Sequence, residues 1–194
     1  MYRYNHANGH NGQRNGHAPH FLSDVYISED AFWSLCLAAV ETFRKECYGF
    51  LVGYQGKDKW ILQRAIPHQT AQRSYSWVAP HAPARQRIEG AMKSLFLGEH
   101  TIGWFHSHPE RGGEIAVPEV SEQDLDISKT GEVILIMGIH SRRKRVSWRQ
   151  NADGTVSGTL GSYHLVVAAY MKTESGRPRR LRVNCAYATG FNPA

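Results

Sequence analysis

Cysteine is scarce. Cys36, Cys47 and Cys185 in 194 residues are too few and too scattered for a disulfide framework or an all-cysteine zinc site. They fit a reducing compartment and positions in the core. The chain also lacks an uninterrupted apolar stretch near twenty residues. It has no secretory apolar region either, because its first twenty residues are polar. Both absences point to a soluble cytoplasmic protein with no membrane partner. Internal repeats are absent. The charge balance of 23 Lys+Arg against 17 Asp+Glu leaves a net +6, concentrated in "SRRKRVSWRQ" (141–150) and "SGRPRRLRVN" (175–184). Such runs can meet an acidic partner or nucleic acid, or simply form a solvated hairpin and a C-terminal surface. No aromatic platform accompanies them, so nucleic acid is not the expected partner.

A chain of this length with 41% hydrophobic residues can bury one good core, so one domain is expected, over residues 23–194. Residues 1–22 precede it. Within residues 1–20 stand four His, four Asn and three Gly with almost no aliphatic residue, which cannot repay the entropy of ordering. A disordered tail is expected there. Order begins with a strand at Val25–Ile27. Ser28 is a good N-cap, and Glu29 and Asp30 suit the helix dipole. Phe32, Leu35, Cys36, Ala39, Val40 and Phe43 recur at helical spacing, predicting a helix of about sixteen residues.

"YGFLVGYQG" and "WILQRAI" read as two strands joined by a Gly-containing turn. Residues 83–100 read as a second helix, with Pro83 in its first turn and Gly98 at its end. "TIGWFH" is a strand, followed by a long loop and a short helix from about Ser121. "EVILIMGI" is the best buried strand. "VSWRQNADGTVSG" is a hairpin turning at Asp-Gly. "YHLVVAAYM" is a strand or a buried helix, since a short apolar run fits both. The fold class expected is α+β (α/β-like), with a single mixed β-sheet flanked by helices.

Chemistry concentrates in "WFHSHP" (104–109). Side chains i and i+2 of a strand share a face, so a strand running through His106 and His108 aims both imidazoles one way. Zinc takes His, Cys and carboxylate ligands in a tetrahedron, and a catalytic site keeps one position for water. A third ligand is available in "VPEVSEQDLDI", where Ser121 and Asp124 share a helix face. Ser121 also reads as an ordinary N-cap. An amidohydrolase would need a barrel longer than this chain. A cupin would want a Glu where Gly112 stands. Asp126 is a weaker ligand candidate, because it projects from another face than Ser121. His140, His164, Trp104 and Phe105 read as structural.

"HSHP" followed by "SEQD", with "ECYGFLVG" upstream, resembles the JAMM motif of the JAB/MPN metallopeptidases. The matching positions are Glu46, with Gly49, Leu51 and Gly53 behind it; His106, Ser107, His108 and Pro109; and Ser121 with Asp124. The resemblance covers roughly residues 25–140. It implies a JAB/MPN (cytidine-deaminase-like) architecture and Zn²⁺ held by His106, His108 and Asp124. It further implies Glu46 as general acid–base and Ser121 as oxyanion donor. Taken by itself, Glu46 also reads as a helix-end carboxylate paired with Arg44 or Lys45. Ser107 points away from the metal and supports the backbone, and Pro109 ends the strand. One departure stands out: fifteen residues separate His108 from Asp124, five more than the family usually has. The surplus lies in "ERGGEIAVPEV", a loop able to absorb it.

The activity implied is a zinc isopeptidase or peptidase cutting after the C-terminal glycine of a ubiquitin-like protein, which with its conjugates would be the partner. Relatives suggest alternatives: a peptidase on a sulfur-carrier or other small peptide adduct, a metal-free MPN scaffold, or a RadC-like nucleic-acid-associated protein. Scaffold members typically lack motif residues, and this chain keeps all five.

Overall fold

The computed structural model describes residues 23–74, 76–94 and 100–190. The expected tail at 1–22 and the helix end at Gly98 lie outside the described residues. In chain order the elements are β1 (Asp24–Ile27), α1 (Glu29–Glu41), β2 (Tyr48–Gln55), β3 (Lys59–Pro67), β4 (Gln72–Arg73), β5 (Val78–Ala79), α2 (Ala82–Ser94) and β6 (His100–Pro109). There follow α3 (Glu122–Ile127), β7 (Val133–Ser141), β8 (Arg149–Gln150), β9 (Val156–Leu160), β10 (Tyr163–Lys172), β11 (Pro178–Asn184) and α4 (Ala186–Gly190).

The expected mixed sheet is present, in the order β11-β1-β3-β2-β6-β7-β10-β9-β8. β1–β11, β1–β3 and β6–β7 run parallel, and the other pairs in this sheet antiparallel. Closure was not anticipated. β10 pairs with β9 through Tyr163–Val167 and with β11 through Ala169–Lys172, so the sheet from β11 to β10 joins into a ring. By sequence alone the arginine-rich run 175–184 that holds β11 reads as basic surface. Its pattern is nonetheless period two: Leu181 and Val183 are fully buried, while Arg182 reaches out to Asp24 at 2.6 Å. Only two apolar residues among arginines left that pattern faint.

α1 begins as expected, with the Ser28 side chain accepting from Ala31 N. It ends earlier than the sixteen-residue reading. Thr42 Oγ1 donates to Ala38 O at 2.9 Å, and Arg44 adopts φ +80°, which turns the chain out of the helix. Phe43 still packs on the core, its ring 4.8 Å from that of Tyr163, and this preserved the helical spacing beyond the helix. The second helix is described only to Ser94, and His100 is already in β6, paired with Gly53 of β2. "YHLVVAAYM" resolves as β10, because its backbone is taken up on both sides by neighbouring strands. The Asp-Gly hairpin stands as β8–β9, with Gly154 at φ +83°.

Two apolar clusters lie on opposite sides of the sheet. The larger joins α1 to inward residues of the strands, including Leu51, Leu62, Phe105, Leu135 and Leu165. Cys36, Cys47 and Cys185 all fall within it as buried free thiols, as expected. Gly49 is required here, since a Cβ would stand 2.3 Å from the Phe105 ring and 2.4 Å from Ile66 O. The smaller cluster holds Tyr48, Trp104, Ile134, Ile136, Ala168 and Tyr170, with Val120 and Leu125 packed against it. That second face carries the candidate site. Among the described residues, no helix is long and apolar enough to cross a membrane.

Candidate metal centre

β6 runs without interruption through Pro109, so His106 and His108 do stand on one face. His106 lies opposite Tyr48 of β2, and His108 opposite Gly138 of β7. Their Nε2 atoms face each other at 3.0 Å. Asp124 Oδ1 approaches His106 Nε2 at 3.6 Å, and one ligand atom from each of the three residues lies within 4.8 Å of the others. Around a tetrahedral zinc with ligands at about 2.0–2.1 Å, adjacent donor atoms stand roughly 3.3 Å apart. Two of the separations, 3.0 and 3.6 Å, bracket that value and the third lies within 4.8 Å, so the three side chains are close enough to hold such an ion.

Each of the three side chains is held differently. His108 Nδ1 stands 2.9 Å from Val117 O. A carbonyl can only accept, so Nδ1 carries the proton and Nε2 is left free to ligate. Among the described residues His106 has no such partner on its buried Nδ1; its ring stacks on Trp104 with centroids 5.1 Å apart and planes 21° apart. Burial also keeps His106 below the usual histidine range, hence neutral.

Asp124 is fixed by a capping box. Ser121 N and Oγ both donate to Oδ2, at 2.8 and 2.7 Å, while Asp124 N donates back to Ser121 Oγ. That leaves Oδ1 facing His106 and open to an ion. The helix carrying Asp124 is tied to β6 and β10. Trp104 Nε1 donates to Ser128 Oγ at 2.9 Å, Ser128 Oγ donates to Asp124 O at 2.7 Å, and Lys172 Nζ donates to Leu125 O at 2.7 Å.

Glu46 lies sixty residues before His106, and backbone pairing brings the two together. Cys47 N donates to Ser107 Oγ at 2.9 Å, between the two histidines, and Glu46 N donates to Ser74 O at 2.8 Å. Ser107 therefore points inward and supports the backbone, as expected. Glu46 lines the same cleft as the three ligands, and only 6% of it is exposed. Burial pushes its carboxyl up to about 7; the Arg111 guanidinium opposes this and the Asp124 charge adds to it.

The cleft has a volume of about 410 Å³ and an apolar rim of Trp77, Ile115, Val117 and Ile127, all exposed. His140 and His164 do not line it. They face each other across β7 and β10 with rings 5.0 Å apart. Sequence reasoning missed Val117, Ser128, Trp77 and Arg111. A backbone carbonyl leaves no mark in a sequence, and the others signal nothing until the loops are placed. Trp104, read only as core, does pack there and also orients His106 and Ser128.

A mixed sheet that presents two histidines and an aspartate beside a buried glutamate agrees with the architecture that the motif implies. Residues 28–151 match the family of prokaryotic homologues of the JAB domain, and this chain belongs to that family, whose wider members include JAMM metallopeptidases. It is 27% identical over 110 residues to COP9 signalosome complex subunit 5 of Drosophila melanogaster, covering 56% of this chain and 34% of that protein. The chain thus spans about a third of the length of that relative. Its fold is similar to the solution structure of protein DSY2949 from Desulfitobacterium hafniense. The TM-score is 0.54 at 17% identity, over 83% of this chain and 92% of that one.

Proposed function

We propose that this chain is a zinc-dependent peptidase or isopeptidase acting in the cytoplasm. Its substrate is the bond after the C-terminal glycine of a ubiquitin-like protein, in a precursor or a conjugate. The observation that carries this reading is the convergence of His106, His108 and Asp124 in one cleft with a buried Glu46. His106, His108 and Asp124 would hold the ion through three protein ligands. When bound, zinc supplies a Lewis acid that makes a water nucleophilic near neutral pH.

Glu46 accepts a proton from the attacking water and returns it to the leaving amine, a role suited by its burial in the same cleft as His106, His108 and Asp124. Ser121 has two tasks. Its backbone N–H keeps Asp124 Oδ2 in place at 2.8 Å, so its hydroxyl can turn from Asp124 to the developing oxyanion without releasing the ligand. The exposed apolar rim suits an extended peptide tail entering the cleft.

The test combines zinc content with cleavage of a panel of ubiquitin-like fusions by wild type and Glu46→Gln. About one zinc per chain is expected in both proteins, with cleavage by the variant reduced at least ~100-fold. A wild type without zinc, or a variant that cleaves equally well, overturns the mechanism. Cleavage confined to sulfur-carrier fusions would keep the chemistry and replace the substrate.

A further inference from the structure

The loop between His108 and Ser121 is longer than the motif requires, yet it does not hang free. It rests on the sheet at two places that flank Val117. On one side Ala116 O lies over Gly138, the β7 residue opposite His108. A Cβ at that position would stand 2.5 Å from Ala116 O and 3.2 Å from Pro118 Cδ, so only glycine lets the loop lie so close. On the other side the buried hydroxyl of Tyr170 meets Pro118 O at 3.0 Å. Between these supports Val117 exposes its side chain and turns its carbonyl to His108 Nδ1 at 2.9 Å.

The direction of the Tyr170 hydrogen bond is itself fixed. Arg180, opposite Tyr170 on β11, donates Nη1 to the phenol oxygen at 3.2 Å and stands 5.3 Å from the ring centroid. A guanidinium only donates, so the phenol must accept from it and spend its single proton on Pro118 O. Asp153 holds the other arm of the guanidinium, Nη2 to Oδ2 at 3.3 Å. A continuous path of contacts thus runs from β11 through β10 and the loop to a metal-binding imidazole.

We propose that Tyr170, oriented by Arg180, is a positioning residue for the metal centre: it clamps the loop so that the Val117 carbonyl keeps His108 Nε2 aimed at His106 and Asp124. The inference rests on the reading of these three residues as metal ligands. Tyr170 touches neither metal nor substrate and acts only through the loop. A hydroxyl that merely filled a gap would affect stability and leave the imidazole unchanged.

The measurement is zinc affinity by chelator competition on the full chain, with the ¹⁵N signature of the His108 ring recorded without metal. Direct partners of metal-binding histidines change affinity by about 10–100-fold, and one step further out about three- to tenfold is expected for Tyr170→Phe. The His108 signal should move from one tautomer, protonated at Nδ1, toward a mixture. Gly138→Ala, which lifts the loop from its other support, should weaken zinc in the same way. Tyr163→Phe, on the same strand but away from the loop, should not. Should Tyr170→Phe be less stable while its zinc affinity and His108 signal match wild type, Tyr170 is ordinary packing and the inference fails alone. Failure of wild type to bind zinc would remove the ligand reading beneath it.

Discussion

Buried beside Asp124, the Glu46 carboxyl costs the fold energy whenever it is charged. Burial raises it to about 7, whereas the unfolded chain restores it to the ordinary value near 4.5. A group raised on folding contributes stability fully below its unfolded value and loses it as pH rises toward the folded one. Metal-free protein should therefore weaken between about pH 4.5 and 7. Glu46→Gln removes that penalty and should gain about 2 kcal/mol over wild type at pH 8, with little difference at pH 4.5. Urea unfolding of the metal-free proteins at the two pH values checks it; equal gains at both would contradict the assignment. Ser121 works in the opposite sense. Ser121→Ala loses a helix cap and one of two donors on Asp124 Oδ2, costing about 1 kcal/mol and roughly tenfold in zinc affinity.

α3 is six residues long, too short to hold its shape unaided. It is stable here because the chain Trp104–Ser128–Asp124 and the Lys172 ammonium satisfy its last carbonyls from outside. Ser128→Ala leaves the Trp104 indole N–H buried and unpaired and should cost about 1–3 kcal/mol in denaturant unfolding. It should also broaden the Asp124 backbone signals, since the helix loses its link to β6. At this scale much could be read in the sequence. The Ser-x-x-Asp spacing announced a capped helix, and "TIGWFH" announced a strand that puts both imidazoles on one face if it runs on through His108. The limits of α1 could not be read, because Phe43 keeps the helical rhythm after the helix has ended.

The ring of strands is completed by β11, which reaches β1 in parallel and β10 antiparallel. Leu181 is its fully buried residue opposite Ala169. Leu181→Ala should cost about 2–5 kcal/mol. Hydrogen exchange should show β1 and the C-terminal half of β10 opening together, while β2, β3 and β6 stay protected. Uniform opening of all strands would mean that closure adds no separate cooperativity. Arg180 lies on this same strand, so the closure also reaches the clamp on the loop beside His108.

The sequence by itself determined which candidate side chains share a face within each element. His106 and His108 two apart in a strand, and Ser121 and Asp124 three apart in a helix, are local patterns that backbone geometry alone converts into directions; Glu46 was marked only by the resemblance to the JAMM motif. Only the tertiary structure decided what is not local. Pairing of Tyr48 with His106 and the bond from Cys47 to Ser107 bring Glu46 to the histidines across sixty residues. Closure by β11 depends on strand ends that meet only once the sheet has curled. Orientation of His108 depends on a carbonyl at Val117, and every residue has a carbonyl. Its value arises from where Gly138 and Tyr170 hold the loop, which no spacing in the chain expresses.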